Sequence, residues 1–129
     1  MGRNGVRLPI RGDGTLGPAE PYGPVLGGPA FQRATPAERA TFGATDGCGF
    51  DQDGNLWVTL VVANKIVAIT PRREVVTILN DPAGEVMDWP TNVSWGGPDL
   101  CDLYIGSIRK DYVLHARSPV PGLPLVHQR

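Results

Sequence analysis

The segment 55–63, NLWVTLVVA, constrains the fold more than any other part of the chain, because it is apolar on both faces of a strand. Successive side chains of a β-strand point to opposite faces, and a strand that is apolar on both must be covered on both. One face consists of Leu56, Val58, Leu60 and Val62, and the other of Trp57, Thr59, Val61 and Ala63. The segment therefore predicts a strand whose sheet lies between two neighbouring layers.

The residues around this segment predict four consecutive antiparallel strands within residues 46–81. DGCGFD comes before the turn DQDGN, and NKIVAIT and EVVTILN follow, separated by the turn PRR. Asp-Gly turns between β-branched runs are typical of hairpins, and the 17 Gly and 13 Pro between apolar runs favour an all-β fold. We expect Asp46–Asp51 to be the innermost strand of this meander and Glu74–Asn80 the outermost.

The strand pattern repeats at an offset of 47 residues. Leu56-Trp57-Val58 aligns with Leu103-Tyr104-Ile105, and Ile66-Val67 aligns with Val113-Leu114. Repeats of about 40–50 residues with four strands each are typical of β-propeller blades, which lie between neighbouring blades. A β-sandwich is the structural alternative, but its strands should alternate between apolar and polar residues. The repeat therefore favours a propeller.

Charge and composition argue against several classes of partner. The formal net charge is -1, whereas binding to nucleic acid or to an anionic membrane requires a basic surface. No run approaches the ~18 apolar residues of a membrane span, and the first residues do not resemble a signal peptide. Cys48 and Cys101 have no CxxC spacing, so we expect two small buried thiols in a cytoplasmic protein.

Two motifs carry a resemblance to a known family. They are TDGCGFDQDGNLWVT, with its Asp-Gly, strand and Gly-Asn-Leu-Trp-Val, and PTNVSWGGPDLCDLYIGS, with its Thr-Asn-Val and Gly-Gly-Pro-Asp-Leu. Both resemble motifs of the gluconolactonase, senescence marker protein (regucalcin) and luciferin-regenerating enzyme family of six-bladed β-propellers. The resemblance implies about two and a half C-terminal blades of four-stranded antiparallel meanders. Residues 1–45 would be outer strands of a preceding blade plus a loop, and residues 46–129 two C-terminal blades, together one partial domain.

The resemblance also implies an activity and a site. Members of the family are metal-dependent lactonases that hydrolyse aldonolactones such as gluconolactone. Asp46 matches a residue that ligates the divalent metal (Ca, Mn, Mg or Zn) and acts as general base. Asn92 starts the innermost strand of the next blade and is the candidate for binding a small-molecule lactone. Without the resemblance, Asp46 would be interpreted as a turn residue, and Asn92 equally well as a partner of local backbone groups.

The remaining polar residues have plainer interpretations. The turn with Asp51, Asp53 and Asn55 is too short for an EF-hand calcium loop and lacks its distal Glu, so it is interpreted as a hairpin turn. Neither histidine has a second ligand at the spacing of a zinc site. The residues expected on outer strands or in solvated turns are His115, His127, Arg72, Arg73, Arg109 and Lys110.

Two hypotheses stay open beside the lactonase: a non-catalytic propeller fragment that acts as an interaction module, and a truncated product. In the family, a Glu near the N-terminus and an Asn in a middle blade complete the metal shell, and this sequence matches neither position. We therefore expect little lactonase activity from this chain alone. Exposed blade faces and strand edges predict association with another propeller fragment or with itself.

Overall fold

A computed structural model describes residues 5–26, 35 and 44–128, which form short antiparallel strands. The strands are β1 (Gly5–Arg7), β2 (Glu20–Tyr22), β3 (Thr45–Phe50), β4 (Leu56–Leu60), β5 (Lys65–Ile69), β6 (Val75–Asn80), β7 (Pro90–Gly96), β8 (Asp102–Ser107) and β9 (Leu114–Arg117). Within these residues there is no α-helix, and Val126–Gln128 form a single 3-10 turn. No helix in the described part of the chain has the length and apolarity needed to cross a membrane.

The strands form three sheets in which spatial order follows the chain: β1-β2, β3-β4-β5-β6 and β7-β8-β9. The second sheet confirms the predicted four-stranded meander, with β3 at one edge and β6 at the other. Its strand β4 ends earlier than the apolar pattern predicts, because residues 61–64 form a turn in which Asn64 has a φ of 48°. Asn tolerates this left-handed conformation better than most residues. The third sheet has three strands in the described residues, where a full blade has four.

The four-stranded sheet is covered on both faces, as its apolar pattern predicts. On one face, a buried cluster joins it to the third sheet through Trp57, Ile66, Ala68, Met87, Val93, Leu103 and Ile105. On the other face, Val58, Leu60, Ala63, Val67 and Ile69 pack with the partly buried Tyr22 and Leu26. A meander sheet with a layer on each side is the arrangement of propeller blades, and it confirms the predicted fold class.

The N-terminal residues form a separate two-stranded sheet. β1 pairs with β2 so that Gly5 lies opposite Tyr22 and Arg7 opposite Glu20, and an ion pair of 2.7 Å joins Arg7 to Glu20. The loop predicted in residues 1–45 falls mainly on 27–34 and 36–43, which lie outside the described residues. The division of the chain at residue 45 stays a prediction.

The turn between β3 and β4 is built around Asp51, which is 1% exposed. Its carboxylate accepts hydrogen bonds from the backbone and side-chain N–H groups of Asn55, at 2.9 and 2.8 Å, and from the indole N–H of Trp57, at 2.9 Å. Gly122, near the C-terminal end, forms a β-bridge with Asp51. The hairpin interpretation is confirmed, and the structure adds that the carboxylate connects this turn to the core.

Two expectations about surface chemistry are wrong. Cys48 is exposed and Cys101 is partly exposed, so the thiols are not buried. Cys48 lies on β3, which has a strand neighbour on one side only and therefore buries little of its own surface. His127 lies in the 3-10 turn and not in an outer strand, because it follows two prolines that cannot donate to a ladder. His115 lies on β9, as expected, with its side chain 54% exposed.

Candidate functional site

Asp46 and Asn92 lie near the starts of β3 and β7, and each lies at a β-bulge. The register of β3 shifts between Thr45 and Cys48, and the register of β7 shifts between Pro90 and Asn92. A bulge inserts a residue, bends the strand and re-aims its side chains, and bulges occur often beside active sites. Both Asp46 and Asn92 are exposed, so their side chains are available to a ligand.

Gly47 allows the two strands to approach each other. A Cβ atom at this position would lie 2.5 Å from Asn92 Oδ1 and 2.7 Å from Asn92 Cα, closer than real Cβ contacts. The carbonyl of Gly47 accepts a hydrogen bond of 3.2 Å from the hydroxyl of Thr59, which is fully buried. Because position 47 has no side chain, β3 contacts β7 and brings Asp46 and Asn92 to the same end of neighbouring sheets.

Two loops lie at this same end. In an antiparallel meander, successive turns alternate between the two ends of the sheet. The β6–β7 loop (residues 81–89) and the β8–β9 loop (residues 108–113) therefore lie at the end where β3 and β7 begin. The turn at residues 61–64 between β4 and β5 lies there too.

Asp81 holds the β6–β7 loop in one conformation. Its carboxylate accepts hydrogen bonds from the backbone N–H groups of Val86 and Met87, each 2.8 Å, and of Glu85, 3.2 Å. These amides, that of Met87 first, lower the pKa of Asp81 from its ordinary value. The side chain of Met87 lies in the core between the sheets and is 3% exposed. Both backbone and side-chain contacts therefore fix this loop.

Trp89, at the end of the same loop, has a φ of 57°, which is uncommon for a bulky residue. The buried Asn64 supports this conformation, since its Oδ1 accepts a hydrogen bond of 2.8 Å from the Trp89 N–H. The Asn64 amide also donates to Asp88 Oδ1 at 3.4 Å. Strained backbone of this kind costs ~1–3 kcal/mol and is found most often at functional sites.

The β8–β9 loop packs on the β6–β7 loop. The Lys110 amine and the Tyr112 hydroxyl donate hydrogen bonds of 2.9 and 3.1 Å to backbone carbonyls of the 81–89 loop. The guanidinium of Arg109 lies 3.9 Å from the centre of the Trp89 ring. Arg109 and Lys110 lie in a strand-connecting loop, as expected, and Arg109 is exposed, but both side chains also contact the β6–β7 loop. No sequence pattern links residues 20 positions apart in two different loops, so sequence reasoning missed this contact.

The described residues do not form a complete metal shell. Asp46 offers a carboxylate and Asn92 an amide oxygen, both hard donors that suit Ca²⁺, Mg²⁺ or Mn²⁺. Ca²⁺ alone takes 6–8 oxygen ligands. No group of three or more His, Cys, Asp or Glu side chains in residues 5–26, 35 and 44–128 is placed to hold a metal. The donors present here therefore do not fit a divalent metal by themselves.

A cleft of about 410 Å³ lies toward the other end of β3 and β7. Neither Asp46 nor Asn92 lines it, and its wall is mostly apolar. The lining includes Phe50, Val93, Trp95, Leu123, Leu125 and Val126. The cleft therefore lies between the strand ends and the C-terminal segment, away from the polar candidate site.

Blade-like sheets stacked face to face, with their inner strands in contact, define the chain as part of a β-propeller. A solved structure of luciferin-regenerating enzyme matches 95% of this chain and 40% of that chain, with a TM-score of 0.64 and 20% sequence identity, which supports the same fold. Residues 22–109 match the family described as SMP-30/Gluconolactonase/LRE-like region. The chain belongs to this family, and the resemblance carried by its motifs is confirmed.

The chain is also similar to 6-deoxy-6-sulfogluconolactonase of Pseudomonas putida. The two are 33% identical over 73 residues, which is 57% of this chain and 24% of that protein. The chain therefore matches about a quarter of the length of this relative.

Proposed function

We propose that this chain supplies part of the active site of a lactonase that hydrolyses sugar-acid lactones such as gluconolactone. Membership of the family and the similarity to a lactonase of Pseudomonas putida support a lactonase-type reaction. The name of that relative specifies a gluconolactone with a sulfo group, so lactones with an anionic substituent are also candidate substrates.

The observation that carries the proposal is the close approach of β3 to β7 at Gly47. It brings Asp46, a potential base, and Asn92, a potential hydrogen-bonding group, to one end of adjacent sheets. Two loops that are hydrogen-bonded to each other lie at the same end. Catalytic groups act efficiently when rigid elements surround them, so this pair of loops supports the proposal.

Asp46 would act as general base in this reaction. Its carboxylate takes a proton from water, and the water oxygen attacks the carbonyl carbon of the lactone. The ring C–O bond then breaks, and the departing oxygen takes up a proton to give the open hydroxy acid. The Asn92 amide would donate a hydrogen bond to a substrate hydroxyl and orient the ring. A positioned general base contributes typically ~10²–10⁴-fold.

A divalent metal (Ca, Mn, Mg or Zn) is part of the proposal only where further residues complete its shell. Asp46 and Asn92 supply two donors, fewer than such an ion takes. We therefore expect the chain alone to hydrolyse gluconolactone slowly or not at all in the presence of Ca²⁺, Mn²⁺ or Zn²⁺. Turnover by the pure chain that Asp46→Ala abolishes would contradict this expectation.

The role of Asp46 is best tested in a complete propeller. The aligned segment of the Pseudomonas putida lactonase is replaced by its counterpart from this chain, and lactone hydrolysis is followed by acid release. The chimera should be active, and Asp46→Asn should lower its kcat by ~10²–10⁴-fold because the base is lost. Asp53→Asn, an exposed change in the turn at the other end of the sheet, is the matched control and should leave kcat unchanged. Full activity of Asp46→Asn would overturn the proposal.

We also infer that the outer face of the third sheet takes a partner, either another propeller fragment or a second copy of this chain. Tyr104 occupies the repeat position of Trp57, but Tyr104 is 42% exposed whereas Trp57 is 2% exposed. β9 is moreover an edge strand with one neighbour in the described sheets. Unpaired edges and open faces favour association. If the partner is a second copy, light scattering after size exclusion should show a mass that rises with concentration, and a monomer at every concentration would refute association with a second copy. If it is another fragment, the chain should co-elute with the remaining blades of a family propeller, and separate elution would refute that alternative.

A further inference from the structure

We propose that Arg109, held against Trp89, binds an anionic substituent of the substrate remote from the lactone carbonyl. The inference rests on the proposed lactonase function and adds a residue that determines substrate specificity. The ligand chemistry is a planar or tetrahedral oxyanion, such as a sulfonate or carboxylate, at the end of the sugar chain.

The first observation is that Arg109 has no acidic partner among the described residues. Arg117 pairs with Asp99 and Asp102, and Arg7 pairs with Glu20, but no carboxylate in the described residues forms an ion pair with Arg109. Arg109 is exposed, and its Cζ atom lies over the Trp89 ring, 3.9 Å from the ring centre. Because no carboxylate of the described residues pairs with this guanidinium, its N–H groups are available to a ligand, and their fork geometry matches two oxygens of an anion.

The second observation is that the support of Arg109 is rigid. Trp89 keeps a strained backbone, and the buried Asn64 side chain fixes its N–H. Its carbonyl accepts a hydrogen bond of 3.0 Å from the N–H of Ile108, the residue before Arg109. A guanidinium stacked on an aromatic ring in this way loses little further freedom when it binds a ligand, so less of the binding free energy is lost.

The third observation is position. The β7–β8 ladder pairs Asn92 with Gly106, and Arg109 lies three residues beyond that pair along the chain, at the end of the sheets that holds Asp46. β8 ends at Ser107 and the chain bends at residues 108–109, so the three residues from Gly106 to Arg109 span at most roughly 10 Å. A six-carbon sugar acid has about this length, and a ligand bound beside Asn92 would therefore place its far end within reach of Arg109.

Arg73 offers a matched control elsewhere in the fold. Its guanidinium also stacks on an aromatic ring, 3.6 Å from the centre of Tyr22, but it lies in the turn between β5 and β6, at the opposite end of the sheet. Arg73→Ala and Arg109→Ala change the net charge equally. A difference between the two variants therefore reports a local contact and not the overall field of the protein.

The experiment measures binding of 6-deoxy-6-sulfogluconate and of gluconate to the 129-residue chain by isothermal titration calorimetry. The two acids share the carboxylate at C1, so their difference isolates the sulfonate. We expect the unaltered chain to prefer the sulfonated acid, Arg109→Ala to weaken that acid at least tenfold and gluconate less than twofold, and Arg73→Ala to weaken neither. Arg109→Lys should recover only part of the affinity, because an ammonium group lacks the fork.

Equal affinities for the two acids in the unaltered chain, no binding of either, or an equal effect of Arg109→Ala and Arg73→Ala would overturn the inference. Its outcome is separate from that of the proposed lactonase, which is judged by turnover in the Asp46 chimera. If the chimera hydrolyses sulfonated and unsulfonated lactones and Arg109→Ala changes neither rate, the specificity role alone is refuted. If sulfonate binding requires Arg109 but the chimera shows no turnover, the proposed lactonase alone is refuted.

Discussion

Replacement of Trp57 by Ala tests the claim that the four-stranded sheet is a covered blade. Trp57 is 2% exposed, lies in the cluster between the two larger sheets, and contacts Trp95 edge to face with ring centres 5.1 Å apart. Its indole N–H also donates to the buried carboxylate of Asp51. Truncation at this position therefore opens a cavity, removes an aromatic pair and takes one donor from a buried acceptor.

The expected cost follows from these contacts. Truncation of a buried Trp to Ala costs ~3–5 kcal/mol. The lost donor adds about 1 kcal/mol, the lower end of the range for a buried acceptor, because Asp51 keeps two hydrogen bonds from Asn55. A domain is stable by only ~5–15 kcal/mol, so the variant would be close to unfolding. With a urea dependence of roughly 2 kcal/mol per M, the midpoint should fall by about 2–3 M.

Urea unfolding followed by far-ultraviolet circular dichroism measures this cost without relying on tryptophan fluorescence. Tyr104→Ala is the matched control, because Tyr104 has the same repeat position in the next sheet but is 42% exposed. It should cost less than about 1 kcal/mol, the scale of surface changes. A cost below about 1 kcal/mol for Trp57→Ala, or equal costs for both variants in dilute monomer, would refute the assignment of covered and open faces.

Two further predictions concern the candidate site. Gly47→Ala forces a Cβ against Asn92 and should destabilise the fold by ~1–3 kcal/mol. Gly12→Ala, whose new Cβ has no atom of the described residues within 4 Å, should be neutral in the same urea assay. The lowered pKa of Asp81 means that its carboxylate stabilises the fold above an ordinary Asp pKa of about 3.9, and this contribution is lost as the pH falls through the lower folded pKa. The free energy of unfolding should therefore fall less between about pH 6 and about pH 2.5 in Asp81→Asn than in the unaltered chain. An unchanged pH dependence would contradict the role of the three amides.

The fold could be predicted because its signal is local and repeated. A strand apolar on both faces requires two covering layers, and the 47-residue repeat around Trp57 and Tyr104 identifies what those layers are. The end of β4 at Leu60 could not be predicted in this way, because Val61 and Val62 continue the apolar pattern into a turn. Here tertiary contacts of Asn64 override the local preference for a strand.

The site was predictable only in part, for a physical reason. Asp46 and Asn92 could be proposed because their motifs resemble those of the family and each lies near the start of an expected innermost strand. The contact of Arg109 with Trp89 depends on how two loops pack against each other, and the residue spacing within either loop does not predict it. The burial of Asp51 could not be predicted either, because the sequence of a hairpin turn is the same whether the Asp carboxylate faces water or an indole N–H.

The core and the candidate site are joined through Met87. Its backbone N–H is one of the groups that Asp81 holds, and its side chain lies in the same buried cluster as Trp57. The β6–β7 loop, which carries Trp89, is therefore anchored in the contact between two blades, and Arg109 of the β8–β9 loop packs on that Trp89 ring. It follows that a cavity at Trp57 should loosen this loop as well as lower stability. Binding at Arg109 should accordingly weaken in Trp57→Ala even at temperatures where that variant remains folded.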